Sequence, residues 1–189
     1  EMRKESNDVF FSTSDIINFS KCSFLSGLDL RSLHDEALAV NKSSPSQYIK
    51  LIQENGRKHE LTYLELLTGI YPNFVDLRGN YTSEQRSKLT LQAMNDGAQL
   101  IYQGGLIDDI WEARPDFLVR NNDTSIFGNY SYEVWDTKLA LTVRAGAVLQ
   151  VIHYSEMLTE YLGKLPTHAY LILGNNEKRN FKVKDYLFY

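Results

Sequence analysis

After Gly97 the hydrophobic pattern of this chain changes period, and no other feature limits its possible folds as strongly. Leu100 to Leu106, Ile110 to Val119 and Tyr130 to Thr137 are rich in Ile, Val, Tyr, Phe and Trp, as half-buried strands are. Asp108-Asp109 and Asn121 to Thr124 supply turn residues between them, which predicts three consecutive strands in a meander. A helix is expected from Arg144 to Leu162, because Val148, Val151, Ile152, Ser155, Leu158 and Leu162 fall on one stripe and Gly163 ends it. Thr167 to Leu173 reads as a buried strand, and Gly174-Asn175-Asn176 turns the chain into Phe181 to Val183. Counted from Thr82, the order is α-β-β-β-α-β, an α/β fold.

The front half is helical in texture. Thr13 or Ser14 can cap a short helix over Asp15 to Phe19, and a second covers Phe24 to Leu33. Ser44-Pro45 is a strong start signal for a helix to Gly69, with Tyr48, Leu51, Ile52, Tyr63 and Leu66 as its apolar residues and His59 on or beside that stripe. Asn73 to Leu77 fits a strand or a loop equally well. Thr82 with Gln85 has the capping-box pattern for a helix through Leu89, Ala93 and Met94, closed by Gly97. The expected organisation is a tail over 1–9 and one domain over 10–189, divided into a mainly helical part (10–80) and the core sheet with its helices (81–189).

Composition removes several classes of function. At 189 residues and 43% hydrophobic content the chain can bury a real core. A net charge of -4 argues against indiscriminate binding of polyanions, so such a substrate needs a local basic site. The longest apolar run, Ala169 to Leu173, is far below the roughly 18 residues of a membrane span. Glu1 to Asp8 lack the basic-then-apolar pattern of a signal peptide, which makes a cytoplasmic protein the expectation. The single cysteine, Cys22, permits no intrachain disulfide and no iron-sulfur cluster of four thiolates, and reads as a small buried hydrophobe.

Four elements could carry chemistry. In Tyr132-Glu133-Val134-Trp135-Asp136-Thr137-Lys138, strand alternation puts Asp136 and Lys138 on one face. Such a pair can hold a divalent metal and orient a water, or be a solvated ion pair. In Arg114-Pro115-Asp116-Phe117, the apolar residues that follow place Asp116 within a half-buried strand, where a carboxylate needs a partner; a Pro-Asp turn is the plainer alternative. Gln150 and Tyr154, four apart, stack on one helix face, as functional groups or as surface polar residues. His59 is either a site residue or a satisfied core histidine, and Glu60 lies on another helix face, where solvent exposure is expected.

In this order and on these carriers, Gly56-Arg57-Lys58-His59-Glu60, Arg114-Pro115-Asp116, Asp136-Thr137-Lys138 and Gln150-Val151-Ile152-His153-Tyr154 resemble the RecB-like branch of the PD-(D/E)XK nuclease superfamily. The wording of Tyr132 to Ala140, of Leu149 to Glu156 and of Ser12 to Phe19 is similar to a bacterial subgroup whose domain commonly precedes a superfamily 1 helicase. Many relatives have a glycine where this chain has Ala113.

The resemblance implies a restriction-endonuclease-like core, a mixed sheet flanked by helices, with a helical N-terminal extension. It implies a Mg²⁺- or Mn²⁺-dependent deoxyribonuclease hydrolysing phosphodiester bonds of single strands or ends in DNA repair, recombination or defence. His59, Asp116, Asp136 and the Thr137 carbonyl would bind the metal, and Lys138 would orient the attacking water. Gln150 and Tyr154 would hold the strand or a water, and Arg114 and Arg144 would contact phosphates. A helicase in cis or trans is the implied partner, and the aromatic end, Tyr186 to Tyr189, suits a fragment of a larger nuclease-helicase. The alternative is a non-catalytic module of the same fold that binds nucleic acid or a helicase.

Overall fold

Two breaks in the β-rich stretch, at Gln103 to Gly105 and at Arg114 to Asp116, decide the architecture. The computed structural model describes every residue except 1, 6, 7, 41–43, 45, 188 and 189. Along the chain, Arg3–Glu5 (β1) and Asp8–Ser12 (β2) precede four helices, Thr13–Lys21 (α1), Ser23–Ser32 (α2), Glu36–Val40 (α3) and Gln47–Ile70 (α4). Then come Phe74–Asp76 (β3), Ser83–Asn95 (α5), Leu100–Tyr102 (β4), Leu106–Asp108 (β5), Trp111–Ala113 (β6) and Phe117–Asn121 (β7). Ser131–Thr137 (β8), Ala145–Leu162 (α6), His168–Ile172 (β9) and Lys178–Lys182 (β10) complete the order.

The six-stranded sheet runs β10-β9-β8-β7-β4-β3, with β8–β9 and β3–β4 parallel and the other pairs antiparallel. Where one strand was expected over Leu100 to Leu106 there are two, because Gln103 adopts a left-handed φ of 54°. Ile110 to Val119 likewise splits at Pro115, which has no N–H to give a ladder. The resulting hairpin of β5 and β6 leaves the main sheet and joins β1 and β2 in a second one, ordered β1-β2-β6-β5. Residues 1–9 are therefore not simply a tail: Arg3–Glu5 and the first residues of Asp8–Ser12 are strand. Without that hairpin, the main-sheet order from α5 is α5-β4-β7-β8-α6-β9.

Alternation on β7 sorts the two sides of the sheet. Leu118 faces a core with Tyr132, Val134, Ala169 and Leu171 under Val151, Leu158 and Leu162 of α6. Phe117 and Val119 face the opposite way, toward Leu100, Trp135, Ile172 and Leu64 and Leu67 of α4. The α6 stripe is buried from Val151 to Leu162, with Val148 half-buried at its start, and Gly163 ends the helix at a φ of 68°. The Thr82–Gln85 capping box is also formed in both directions.

In α4 the pattern misleads: Tyr48, Leu51, Ile52 and Leu66 are exposed, and burial is confined to Leu64 and Leu67, because the helix touches the sheet only in its second half. Its cap is Ser46, whose Oγ accepts from Ile49 N at 3.3 Å; Pro45 lies outside the described residues, as do Phe188 and Tyr189. Cys22, expected to be buried, is only half-buried between α1 and α2. Among the described residues, no helix is long and apolar enough to cross a membrane.

Glu133 of β8 gives the sheet a pH dependence. Burial pushes its pKa up to about 7, although His168 Nδ1 lies 3.7 Å away. The unfolded chain ionises this group near 4.5 while the folded chain holds its proton, so stability falls between pH 4.5 and about 7 and levels off above. Glu133→Gln removes this penalty, on the order of 2 kcal/mol at pH 8. Melting at pH 5 and pH 8 checks it: the wild-type drop should shrink in the variant, and an equal drop in both proteins would rule Glu133 out as its source.

Candidate active site

The register that pairs Phe117 with Trp135 sets Asp116 opposite Asp136, one step further toward the ends of β7 and β8. Asp136 is buried, and Lys138, two residues on, reaches back to its Oδ2. Asp116 Oδ2 accepts from both Thr137 N and Thr137 Oγ1 at 2.7 Å. Facing this pair is one side of α4, where Gln53, Gly56, Arg57 and Glu60 line the same cleft of about 610 Å³. Tyr102 and Gln103 from the end of β4 close it, and Arg78, Arg114, Leu139 and Gln150 complete its wall. Gly174 lets the sheet meet the loop after Lys138, since any Cβ there would collide with the Leu139 carbonyl.

Charge crowding dominates the site. The Asp116 carboxyl is held well above the usual carboxylate range by burial first, then by Asp136 and Glu60. Burial alone would lower the Lys138 pKa, but Asp136 and then Asp116 outweigh it and hold the ammonium above its ordinary value. The Tyr102 phenol is pushed up by burial first and then by the nearby Glu60 carboxylate. Three carboxylates thus share one cleft with Lys138 and the arginines at 57, 78 and 114.

On α6, Gln150 Nε2 donates to Tyr154 Oη at 2.7 Å, as the four-residue spacing predicts. Tyr154 is buried, and burial first, then the Asp136 carboxylate, raises the pKa of its phenol. Asp116 itself sits at the end of that loop, one residue before β7, rather than inside a strand.

The structure thus brings together Asp116, Asp136, Thr137, Lys138, Gln150, Tyr154 and the exposed Arg114. It does not bring in the other two. Arg144 caps α6 and lines a small neighbouring recess with Lys138 and Leu139. His59 is absent from the cleft lining, and its Nε2 is buried without a hydrogen-bond partner among the described residues.

Glu60, for which solvent exposure was expected, lines the cleft instead. The available signal was phase: Glu60 shares a stripe with Leu64 and Leu67, the two residues of α4 that bury. Gln103 was missed as well, and its signal was a polar residue followed by Gly104-Gly105 at the end of an apolar run.

The donors fit a hard divalent cation, since carboxylate oxygens are what Mg²⁺ and Mn²⁺ prefer and the surplus negative charge around Asp116 is what such an ion relieves. Among the described residues, no three His, Cys, Asp or Glu side chains stand together as a ready-made ligand set. No protein-family model matches the chain, and no curated protein does either.

Proposed function

We propose that the chain is a metal-dependent nuclease of the RecB-like PD-(D/E)XK type, hydrolysing phosphodiester bonds in DNA, with single strands or ends as substrate. The observation that carries this reading is the meeting of Glu60, Asp116, Asp136 and Lys138 in one cleft whose rim bears Arg57, Arg78 and Arg114. The main-sheet order α5-β4-β7-β8-α6-β9, with the carboxylates at adjacent strand ends, supports it from the fold.

Glu60, Asp116 and Asp136, which line one cleft without standing as a ready-made set, would have to draw together to hold Mg²⁺ or Mn²⁺. A bound divalent ion supplies Lewis-acid polarisation of a phosphoryl oxygen and favours a nucleophilic water. Lys138, held by Asp136 at the cleft wall, orients the attacking water and offsets the charge that builds on the phosphorane oxygens. Thr137 fixes one Asp116 oxygen through two hydrogen bonds and so sets the direction of the other. Gln150, bonded to Tyr154, holds the strand or a water at the cleft wall, and Arg114, with Arg57 and Arg78, gives the strand's phosphates the positive contacts that the net charge of -4 does not provide. Cytoplasmic action in DNA repair, recombination or defence, alone or beside a helicase, belongs to the same proposal.

End-labelled single-stranded and duplex DNA, incubated with Mg²⁺, Mn²⁺ or EDTA, tests the reading. Shortened products are expected with either metal and none with EDTA. Intact DNA in every tube would favour the non-catalytic module.

A further inference from the structure

Gln103 combines two features that its sequence neighbours do not explain. Its backbone is left-handed, at φ 54°, a conformation that costs a residue with a long side chain free energy. It is pinned there: its N–H donates to the Asp116 carbonyl at 2.8 Å, and its own carbonyl receives Arg86 Nη1 at 3.3 Å. From that fixed point its amide enters the acidic cleft, where Nε2 donates to Glu60 Oε1 and lies 3.4 Å from Asp116 Oδ1. One neutral donor therefore spans two carboxylates that arrive from different parts of the fold, α4 and the loop before β7.

From this bridge we infer that Gln103 is a positioning residue for cation binding: its amide holds the Glu60 and Asp116 carboxylates in the mutual arrangement in which they receive a divalent ion. This rests on the proposed function, since it takes those carboxylates as ligands. The unfavourable backbone follows from the role. A right-handed or extended Gln103 would carry the run of β4 onward, and the side chain would leave the cleft. Glu60 Oε2 lies outside this bridge, and Asp116 Oδ1, whose contact with the amide is long at 3.4 Å, keeps a lone pair, so the amide fixes orientation while leaving donor atoms for the ion.

Calorimetric titration of the full chain with Mn²⁺, paired with thermal melts of the metal-free protein, tests the assignment on two variants. Gln103→Leu keeps the bulk and deletes the amide, whereas Gln103→Gly deletes the amide and relieves the positive φ. Both should weaken Mn²⁺ binding by about 10- to 100-fold, the range for loss of a residue that orients metal ligands. Gln103→Gly should do so while melting no earlier than wild type.

Mn²⁺ affinity at the wild-type level in Gln103→Gly would overturn the assignment and leave the nuclease reading standing. Tighter binding in Gln103→Leu would also overturn it, marking the amide as a competitor of the ion. Absence of any Mn²⁺ isotherm from the wild-type chain would remove the cation reading itself, and this inference with it.

Discussion

Lys138→Ala should lose DNA cleavage by a factor on the order of 10² to 10⁴ while still binding the divalent ion. On the proposed reading the ammonium acts on the water and on the developing phosphate charge, and the carboxylates that would hold the ion are left in place. The contact with Asp136 adds a second consequence. Asp136 is buried, at 1% exposure, and Lys138 is the cation that reaches its carboxylate, so truncation leaves a buried negative charge without its partner. The metal-free variant should therefore melt earlier, by about 1–3 kcal/mol of stability, and Mn²⁺ should restore much of that loss. Cleavage rates alongside melts with and without Mn²⁺ measure both effects. Wild-type turnover in Lys138→Ala would end its assignment, and an apo melt equal to wild type would show that the Asp136 charge is balanced elsewhere.

Replacing Glu60 by Gln should weaken Mn²⁺ binding by about tenfold or more and cut cleavage sharply, because the α4 carboxylate leaves the cleft. His59→Leu should do neither. Its Nε2 is buried with no partner among the described residues, so an apolar side chain of similar size removes an unsatisfied polar atom and should leave stability unchanged or raise it by about 1 kcal/mol. The two residues are adjacent in sequence and a single calorimetric comparison separates them. A lost isotherm in His59→Leu with an intact one in Glu60→Gln would return the histidine to the site and remove the glutamate.

That pair also shows what a sequence leaves open. The string Gly56 to Glu60 marks one turn of α4, and which of two neighbours 100° apart on a helix lines the cleft depends on which side meets the sheet. The apolar residues of the first half suggested a side, and they pack against none of the sheet. Where one period governs one element the reading succeeds: the α6 stripe, the Thr82–Gln85 box, and Gln150 over Tyr154 are all local.

The broken strands were illegible for the opposite reason. Gln103-Gly104-Gly105 interrupts the apolar residues between Leu100 and Leu106, but that interruption does not record that the chain changes sheets there. The same break sets Gln103 in the cleft, so the fold's least predictable corner and the site's least predictable residue coincide. Asp116 and Asp136 were legible because strand pairing is a short-range rule, and the register across β7 and β8 places them opposite each other.

If the carboxylates of this cleft support metal-dependent cleavage of DNA, removing one charge from them should abolish it. Asp136→Asn is the sharpest probe of it, being nearly isosteric at a buried position, and should be compared with wild type on end-labelled single-stranded DNA under Mg²⁺, Mn²⁺ and EDTA. Products are expected from wild type with either metal and none with EDTA, with a loss of at least about 10² in rate for Asp136→Asn and its fold retained by melting. Equal cleavage by the two proteins, or cleavage that persists in EDTA, would contradict it.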